Sequence, residues 1–431
     1  MTTNDEFGRQ LGAWLRDDSA HRVPEHLGQV LVRTSATRQR PWWSSPGQWL
    51  PRPSNASRLW AGRPASLRTV LLLGLVALVI AALVALAIGS RRPLPPPFGL
   101  ARNGELVSSA NGDLFTVDAR TGAGTPLITG PTFDFGPGFS RDGTRISFLR
   151  GAASPCGKPD CGLILVVANA DGSGAREITP GEPGLDWADW SPDGTRIAFL
   201  SSMAGRDGHV LNIVDVETAK VVTLDVGRPV NQLSWLPPNG AEIVFRGEQI
   251  ASTDQPPGIF AVRPDGTGFR PITTGPARDL NDFNDVAVSP DGSLVAYRAI
   301  DRPQPFTVRI LDLRTMVDRA LPAPSASSQG GPIFSPDGRS ILCLRWYSDN
   351  STQLVVAPVD GPGTGIAIGP HGPLGPDGPT INNYGFAPDG TAVFANYDSE
   401  KLARLLPVDG SPGVVIARGQ LALVTYQRLA P

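Results

Sequence analysis

The stretch WSPDGTRIAFLS, residues 190–201, joins an aromatic residue to a four-residue turn and then to a strongly β-forming segment. Proline presets φ near about −65° at the second turn position, aspartate tolerates the third, and glycine suits the next. The serine hydroxyl can also hydrogen-bond to the amides of the turn. The stretch therefore predicts two antiparallel strands joined by a tight turn.

Similar stretches recur along the chain. They are FSRDGTRISFLR from 139, WLPPNGAEIVFRG from 235, VSPDGSLVAYRA from 288, FSPDGRSILCLR from 334 and FAPDGTAVFANY from 386. The serine or its equivalent returns every 45–53 residues, and such a period predicts a repeat architecture. A catalytic site repeated six times is implausible, so we interpret the turn as structural. The aromatic residue before it is expected to pack between neighbouring units.

Each unit also contains a second polar turn, such as ANADGSGAR or VRPDGTGFR, between two further apolar runs. A unit thus predicts four antiparallel strands, the content of one propeller blade. The first unit lacks its leading strand, and residues 420–427 offer an unpaired one. If this C-terminal strand fills the gap, the chain forms an all-β, seven-bladed propeller without an exposed sheet edge. The alternative is six blades with the first unit peripheral.

At these repeats the chain resembles the TolB-like propellers, whose repeat is shared with propeller domains of prolyl-oligopeptidase-type and tricorn-type proteases. The resemblance covers residues 104–431. It implies a binding platform, a sensor or a gate on an enzyme, and it implies protein partners at the cell envelope. The chain departs from TolB in the segment that precedes the repeats.

That segment contains VLLLGLVALVIAALVALAIG, from Val70 to Gly89, which has no charged residue. Twenty residues at about 1.5 Å rise span roughly 30 Å, so a single transmembrane helix is predicted. Residues 1–68 carry ten arginines against five acidic residues, which favours a cytoplasmic N-terminus and an extracytoplasmic propeller. Cys156 and Cys161 are candidates for a disulfide in such an oxidising exterior, whereas Cys343 is expected to be a buried thiol.

The region before the span divides into two parts. NDEFGRQLGAWLRDD and VPEHLGQVLVRTSAT predict two short amphipathic helices, and the following residues are rich in Trp, Pro and Arg. The predicted domains are helical residues 1–39, a juxtamembrane linker 40–68, the span 69–90, a Pro-rich linker 91–103 and the propeller 104–431. This layout resembles that of membrane-bound anti-sigma factors, although their zinc-binding His and Cys motif is missing here. The resemblance implies a cytoplasmic regulator as partner of the N-terminal helices.

Polar residues precede the first strand of several units, where they would gather at one mouth of the central channel. The candidates are Asp186, Asn231, Gln232, Asn284, Asp285, Asn382 and Asn383, with Asp279, Asn281 and Asp282 nearby. Such a ring suits a hard cation such as calcium or a polar ligand, although ordinary solvated loop ends are the simpler explanation. No metal site or cofactor is predicted. The longer loops 151–162, 202–209, 248–257 and 372–382 are further binding candidates.

The sequence offers little for catalysis. It contains neither a G-x-S-x-G nucleophile motif nor an H-E-x-x-H zinc motif. A net charge of −2 does not favour nucleic acid as a partner. We therefore expect a non-enzymatic, membrane-anchored propeller that binds a protein or peptide at the cell envelope. The alternatives are an anti-sigma-type transmembrane regulator and, less favoured, a hydrolase-related propeller.

Overall fold

A computed structural model describes twelve stretches of the 431-residue chain. They are residues 75–76, 96–151, 162–202, 208–248, 257–274, 286–301, 304–323, 328–361, 364–373, 381–397, 400–418 and 423–430. The chain divides into two compact units, Met1–Ser90 and Arg91–Pro431. In the first unit only Leu75 and Val76 are described, and both are helical. The predicted N-terminal helices and the ends of the predicted span lie outside the described residues.

No helix within these stretches is both long and apolar enough to cross a membrane.

The second unit consists of antiparallel strands joined by turns and loops, so it is all-β in the described residues. The first sheet contains β1 (Arg102–Ala110), β2 (Asp113–Val117), β3 (Gly124–Ile128) and β29 (Val424–Leu429). The second contains β4 (Phe133–Phe139), β5 (Arg145–Gly151), β6 (Gly162–Asn169), β7 (Arg176–Glu177) and β8 (Glu182–Pro183). The third contains β9 (Asp186–Trp190), β10 (Arg196–Ser202), β11 (His209–Asp215), β12 (Val221–Leu224), β13 (Val230–Trp235), β14 (Ile243–Gly247), β15 (Gly258–Val262) and β16 (Arg270–Thr274).

The remaining three sheets have four strands each. The fourth contains β17 (Val286–Val288), β18 (Leu294–Asp301), β19 (Gln304–Asp312) and β20 (Asp318–Ala320). The fifth contains β21 (Ser328–Phe334), β22 (Ser340–Trp346), β23 (Ser351–Pro358) and β24 (Ile366–Pro373). The sixth contains β25 (Ile381–Phe386), β26 (Ala392–Tyr397), β27 (Leu402–Pro407) and β28 (Val414–Arg418).

The eight-stranded third sheet is two groups of four strands, β9–β12 and β13–β16. One residue pair, His209 with Val230, joins β11 to β13. Within each group, strands pair in chain order as antiparallel neighbours, except that β8 pairs with β6 and β29 pairs with β1. The described strands therefore follow the four-strand pattern that the repeated sequence predicts.

The C-terminal strand pairs with the first sheet. β29 lies antiparallel to β1, with Tyr426 opposite Leu106 and Val424 opposite Ser108. The strand runs from Val424 to Leu429, a few residues later than the predicted range 420–427. Burial alternates along the strand: Val424 and Tyr426 are buried, whereas Thr425 and Gln427 are only partly so.

The core lies between the sheets, in seven clusters of buried apolar side chains. Each cluster joins one four-stranded group to the next along the chain. The cluster that contains Leu106, Ala403, Ile416 and Tyr426 joins the sixth sheet to the first. Aromatic and β-branched residues dominate because a sheet buried on both faces needs bulk on both.

Candidate functional site

The SPDG turns are held by hydrogen bonds of the serine and aspartate side chains. In the turn at 191–194, Ser191 Oγ donates to Asp193 Oδ1 at 2.6 Å and accepts from Arg196 N at 2.9 Å. Asp193 Oδ1 also accepts from Thr195 N and from Thr195 Oγ1. The turns that start at Ser140, Ser289 and Ser335 repeat the Ser–Asp bond at the same 2.6 Å. The serine hydroxyl thus bonds to the turn aspartate and to the first amide of the following strand, and not to the amides of the turn itself.

The turn glycines lie where the backbone requires glycine. Gly143 and Gly292 have φ of +70° and +74°, a region that residues with a Cβ rarely adopt. A Cβ on Gly143 would overlap the carbonyl oxygen of Arg428, and one on Gly292 would overlap that of Pro237. Each glycine therefore lets a turn approach the backbone of the preceding unit.

The carboxylates of these turns serve the turns themselves. Burial alone raises the pKa of Asp193, but hydrogen bonds from Ser191 and Thr195 outweigh it, and the pKa lies below its ordinary value. Burial and hydrogen bonding oppose each other in the same way at Asp291 and Asp337, where the pKa is also lowered. Since Oδ1 of each of these carboxylates is already engaged within its own turn, the repeated motif is interpreted as a structural element.

The aromatic residues before the turns pack between neighbouring sheets, which confirms their predicted role. Trp190 is 3 % exposed, and its Nε1 donates to Ser147 Oγ in the preceding sheet at 2.9 Å. Trp235 is fully buried, and its Nε1 donates to the carbonyl oxygen of Asp189 at 3.0 Å.

The two ends of the sheets differ. We call the end that carries the SPDG turns the turn face. Because neighbouring strands are antiparallel, the connections between second and third strands, such as residues 347–350, lie at the opposite end, which we call the loop face. The strands that flank the predicted long loops end at the loop face, whereas most residues of these loops lie outside the described stretches.

A cavity of about 410 Å³ lies where the first strands of the units converge. Its lining includes Asp189, Ser234, Ala287, Ile333, Gly385 and Thr425, from six different first strands. Pro290, Pro336 and Pro388 of the SPDG turns complete the wall, which places the cavity toward the turn face. This central cavity is the strongest candidate binding site among the described residues.

Two arginines and one aspartate supply its charge. Arg141 forms an ion pair with Asp189, with 2.7 Å between NH2 and Oδ1. Its guanidinium also lies over the ring of Phe98, 4.8 Å from the centroid. Burial and then the neighbouring Arg141 lower the pKa of Arg428 to about 10. Two arginines and the Asp189 carboxylate therefore form a charged, partly desolvated rim around a cavity of mixed polar and apolar lining.

The sequence contains a signal for this site that motif reasoning missed. Arg141 occupies the position at which the turns at 290, 336 and 388 have proline. Those prolines line the cavity as hydrocarbon, and the SRDG turn places a charge at the same position. The arginine in place of the repeated proline is thus the sequence signal that distinguishes the SRDG turn from the other turns. Nothing in the local sequence indicates Phe98 or Arg428.

The predicted polar ring is only partly visible. Outside the described residues lie Asn284, Asp285 and the side chain of Asn382. The two cysteines of the predicted disulfide, Cys156 and Cys161, also lie outside them. Asp186 accepts from the amide of Trp187 at 2.8 Å, and Asn231 donates to Glu248. Gln232 Oε1 accepts from Val286 N at 2.8 Å. These three side chains thus bond within the protein, and a cation or polar ligand at this ring stays an untested hypothesis.

Within the described stretches, no three His, Cys, Asp or Glu side chains are grouped so as to hold a metal ion.

One cluster at the loop face was not anticipated. Ser351 Oγ lies 2.8 Å from His371 Nε2 and also donates to Asp349 Oδ1. In a Ser–His–Asp triad the aspartate orients the histidine, whereas here it bonds to the serine. The bond from Ser351 lowers the pKa of Asp349. The arrangement is that of an Asx turn and not of an activated nucleophile.

The described unit has the architecture of a β-propeller: four-stranded antiparallel sheets, a turn repeated once per unit and a cavity where the first strands meet. Among curated proteins, a "Protein TolB homolog" of Chlorobium luteolum is 34% identical over 133 residues. The match covers 29% of this chain and 26% of that protein, so the chain spans about a quarter of its length. Together these observations support a TolB-like β-propeller.

No family model matches the chain. Among solved structures, TolB from Acinetobacter baumannii is 19% identical, with a TM-score of 0.43 and 70% of each chain covered. Puromycin hydrolase is 15% identical, with a TM-score of 0.49, covering 71% of this chain and 52% of that one. An oligogalacturonate lyase in complex with manganese has 15% identity and a TM-score of 0.47, covering 73% and 82%.

Proposed function

We propose that the chain is a non-enzymatic scaffold of the cell envelope, anchored by one transmembrane helix, whose extracytoplasmic propeller binds a protein or peptide. The observation that carries the binding role is the central cavity with its arginine rim. The conserved geometry of the turns accounts for the repeated polar residues. The cavity and the loop face are therefore the surfaces that we propose to bind the partner.

We infer that the propeller is a closed ring of seven blades. Seven groups of strands follow one another along the chain if the third sheet is counted as two; six of them have four strands, and the second sheet has a fifth short strand, β8. Seven apolar clusters join consecutive groups, and one of them joins the last to the first. The pairing of β29 with β1 supports closure through the chain ends. Closure of this kind leaves no first or last blade with an open inner face.

The placement across the membrane rests on the sequence. The uncharged run from Val70 to Gly89 has the length of the hydrocarbon layer, and the arginine excess before it favours a cytoplasmic N-terminus. A topology reporter fused after Pro431 tests this placement. We expect activity from a reporter that works only outside the cytoplasm. A signal from a cytoplasm-specific reporter at the same position would contradict it.

Partner binding is tested by photo-crosslinking with the full chain in intact cells. A photoreactive residue replaces Asn350, exposed at the loop face, or Glu217, exposed at the turn face. We expect an envelope protein or peptide to be captured from one of these faces. Capture of only a cytoplasmic regulator, through a third probe at Leu11, would instead favour an anti-sigma-type function. Capture at none of the three positions would contradict both the proposed partner binding by the propeller and the anti-sigma-type function.

A further inference from the structure

We propose that the turn-face mouth of the cavity is a receptor for an extended peptide with an aromatic side chain, and that residues 96–100 occupy it in cis. This inference rests on the proposed binding function and deepens it. It assigns the receptor to Arg141, Asp189 and Arg428 and identifies the chain's own PFGL stretch as a resident ligand.

The backbone of the segment is bound as a peptide ligand would be. Arg428 NH2 donates to the carbonyl oxygen of Gly99 at 2.8 Å and to that of Pro96 at 3.1 Å. The amide of Ala101 donates to the carbonyl oxygen of Pro388 at 3.0 Å. Hydrogen bonds to main-chain groups do not depend on side-chain identity, so a segment of another protein can form the same bonds.

The receptor residues recognise one side chain of the segment, the aromatic ring of Phe98. Phe98 lines the central cavity beneath the guanidinium of Arg141, which Asp189 holds in place. Such a cation–π contact is strongest where the cation and the ring are shielded from water. Since Arg141 stands where other turns have proline, this ring contact is specific to one of the turns.

The segment fills its site incompletely. A second cavity of about 500 Å³, lined by Gly99, Leu100 and two SPDG turns, lies on its other side. Leu100 is 51% exposed, although it is a large apolar residue. The Nε atoms of Arg141 and Arg428 are buried and have no hydrogen-bond partner among the described residues. A partner peptide with further oxygen acceptors and apolar groups can therefore bind more tightly than the resident segment and displace it.

The test uses the full chain in detergent micelles and a fluorescent peptide of sequence PLPPPFGLA, which matches residues 93–101. Phe98→Ala weakens the cis segment and leaves the receptor residues intact. We expect this variant to bind the peptide at least tenfold more tightly than the wild-type chain, as measured by fluorescence anisotropy. A peptide with alanine in place of phenylalanine is the control and should not bind.

A receptor variant completes the design. Arg141→Pro restores the residue found in the other turns, whose backbone accepts proline, so the fold should be retained. In the Phe98→Ala background it should weaken peptide binding at least tenfold. Equal affinity of wild type and Phe98→Ala, or an Arg141→Pro change without effect, would overturn the proposal.

A second measurement needs no variant. Hydrogen exchange of the Ala101 amide in the wild-type chain reports whether residues 96–100 leave the mouth. Saturating peptide should accelerate this exchange, and an unchanged rate would overturn the proposal even if Phe98→Ala fails to fold. Capture of an envelope partner at the loop face together with such an unchanged rate would refute the receptor and leave the proposed function intact.

Discussion

Gln427 Nε2 donates a hydrogen bond of 2.6 Å to the carbonyl oxygen of Gly143, 284 residues earlier in the chain. The bond joins the last strand to the first SPDG-type turn and so connects the C-terminus to the second sheet. Next to Gln427, Tyr426 is 8% exposed and packs with Leu106 and Ala403. The C-terminal strand is thus held by contacts to the first, second and sixth sheets.

Tyr426→Ala should test the contribution of this strand. The substitution leaves a cavity between the first and sixth sheets and should lower the free energy of unfolding by about 3–5 kcal/mol, by analogy with other buried aromatic residues. Chemical denaturation of the purified chain measures the change. Arg418→Ala, at an exposed position of β28, is the control and should stay within about 0.5 kcal/mol. Equal effects of the two would argue against a structural role of β29.

Trp190 separates packing from hydrogen bonding between blades. Trp190→Phe keeps most of the apolar volume but removes the donor to Ser147 Oγ, so we expect a loss of about 1–2 kcal/mol in unfolding free energy. Trp190→Ala also creates a cavity and should cost about 3–5 kcal/mol. Thermal and chemical unfolding of both variants give the values. If phenylalanine were as harmful as alanine, the hydrogen bond and not the packing would dominate.

Acid should destabilise the propeller through its turn aspartates. The pKa of Asp193 is lowered in the folded protein despite burial, because Ser191 and Thr195 donate hydrogen bonds to its carboxylate. A lowered folded pKa means that the stabilisation is present above the unfolded value of about 3.9 and is lost as pH falls through the folded value. We expect the unfolding free energy to fall steeply below about pH 4.

Asp193→Asn provides the matched comparison. The variant should be less stable than wild type at pH 6, and the difference should shrink as the pH approaches 3. Denaturation midpoints over this range measure it. A difference that stays constant with pH would show that the carboxylate contributes by packing alone.

The three cysteines should differ in reactivity. Burial raises the pKa of the Cys343 thiol to about 11, and the side chain is fully buried. Under non-reducing conditions an alkylating reagent should label no cysteine in the native chain and one after denaturation. Reduction followed by denaturation should expose all three. Labelling of two thiols in the native chain would rule out the predicted Cys156–Cys161 disulfide.

The fold class could be predicted from the sequence because its signals are local. Pro, Asp and Gly at fixed turn positions, followed by a β-forming run, specify a hairpin whatever lies further along the chain. Six copies of this signal indicate a repeated unit, and the described strands follow it. The limits of the last strand were less well predicted, since strand ends depend on the partner, and the partner of β29 lies more than 300 residues away.

What the sequence determined by itself is the repeated hairpin, its structural turn and the aromatic residue that packs between sheets. Each of these depends on backbone preferences or on neighbours within one unit. Tertiary structure decided the candidate site, because Phe98, Arg141 and Arg428 meet only when the start of the second unit, a turn of the second sheet and the last strand come together at the cavity. Their contacts arise from the geometry of the assembled sheets, and no local pattern encodes which residues face the common centre.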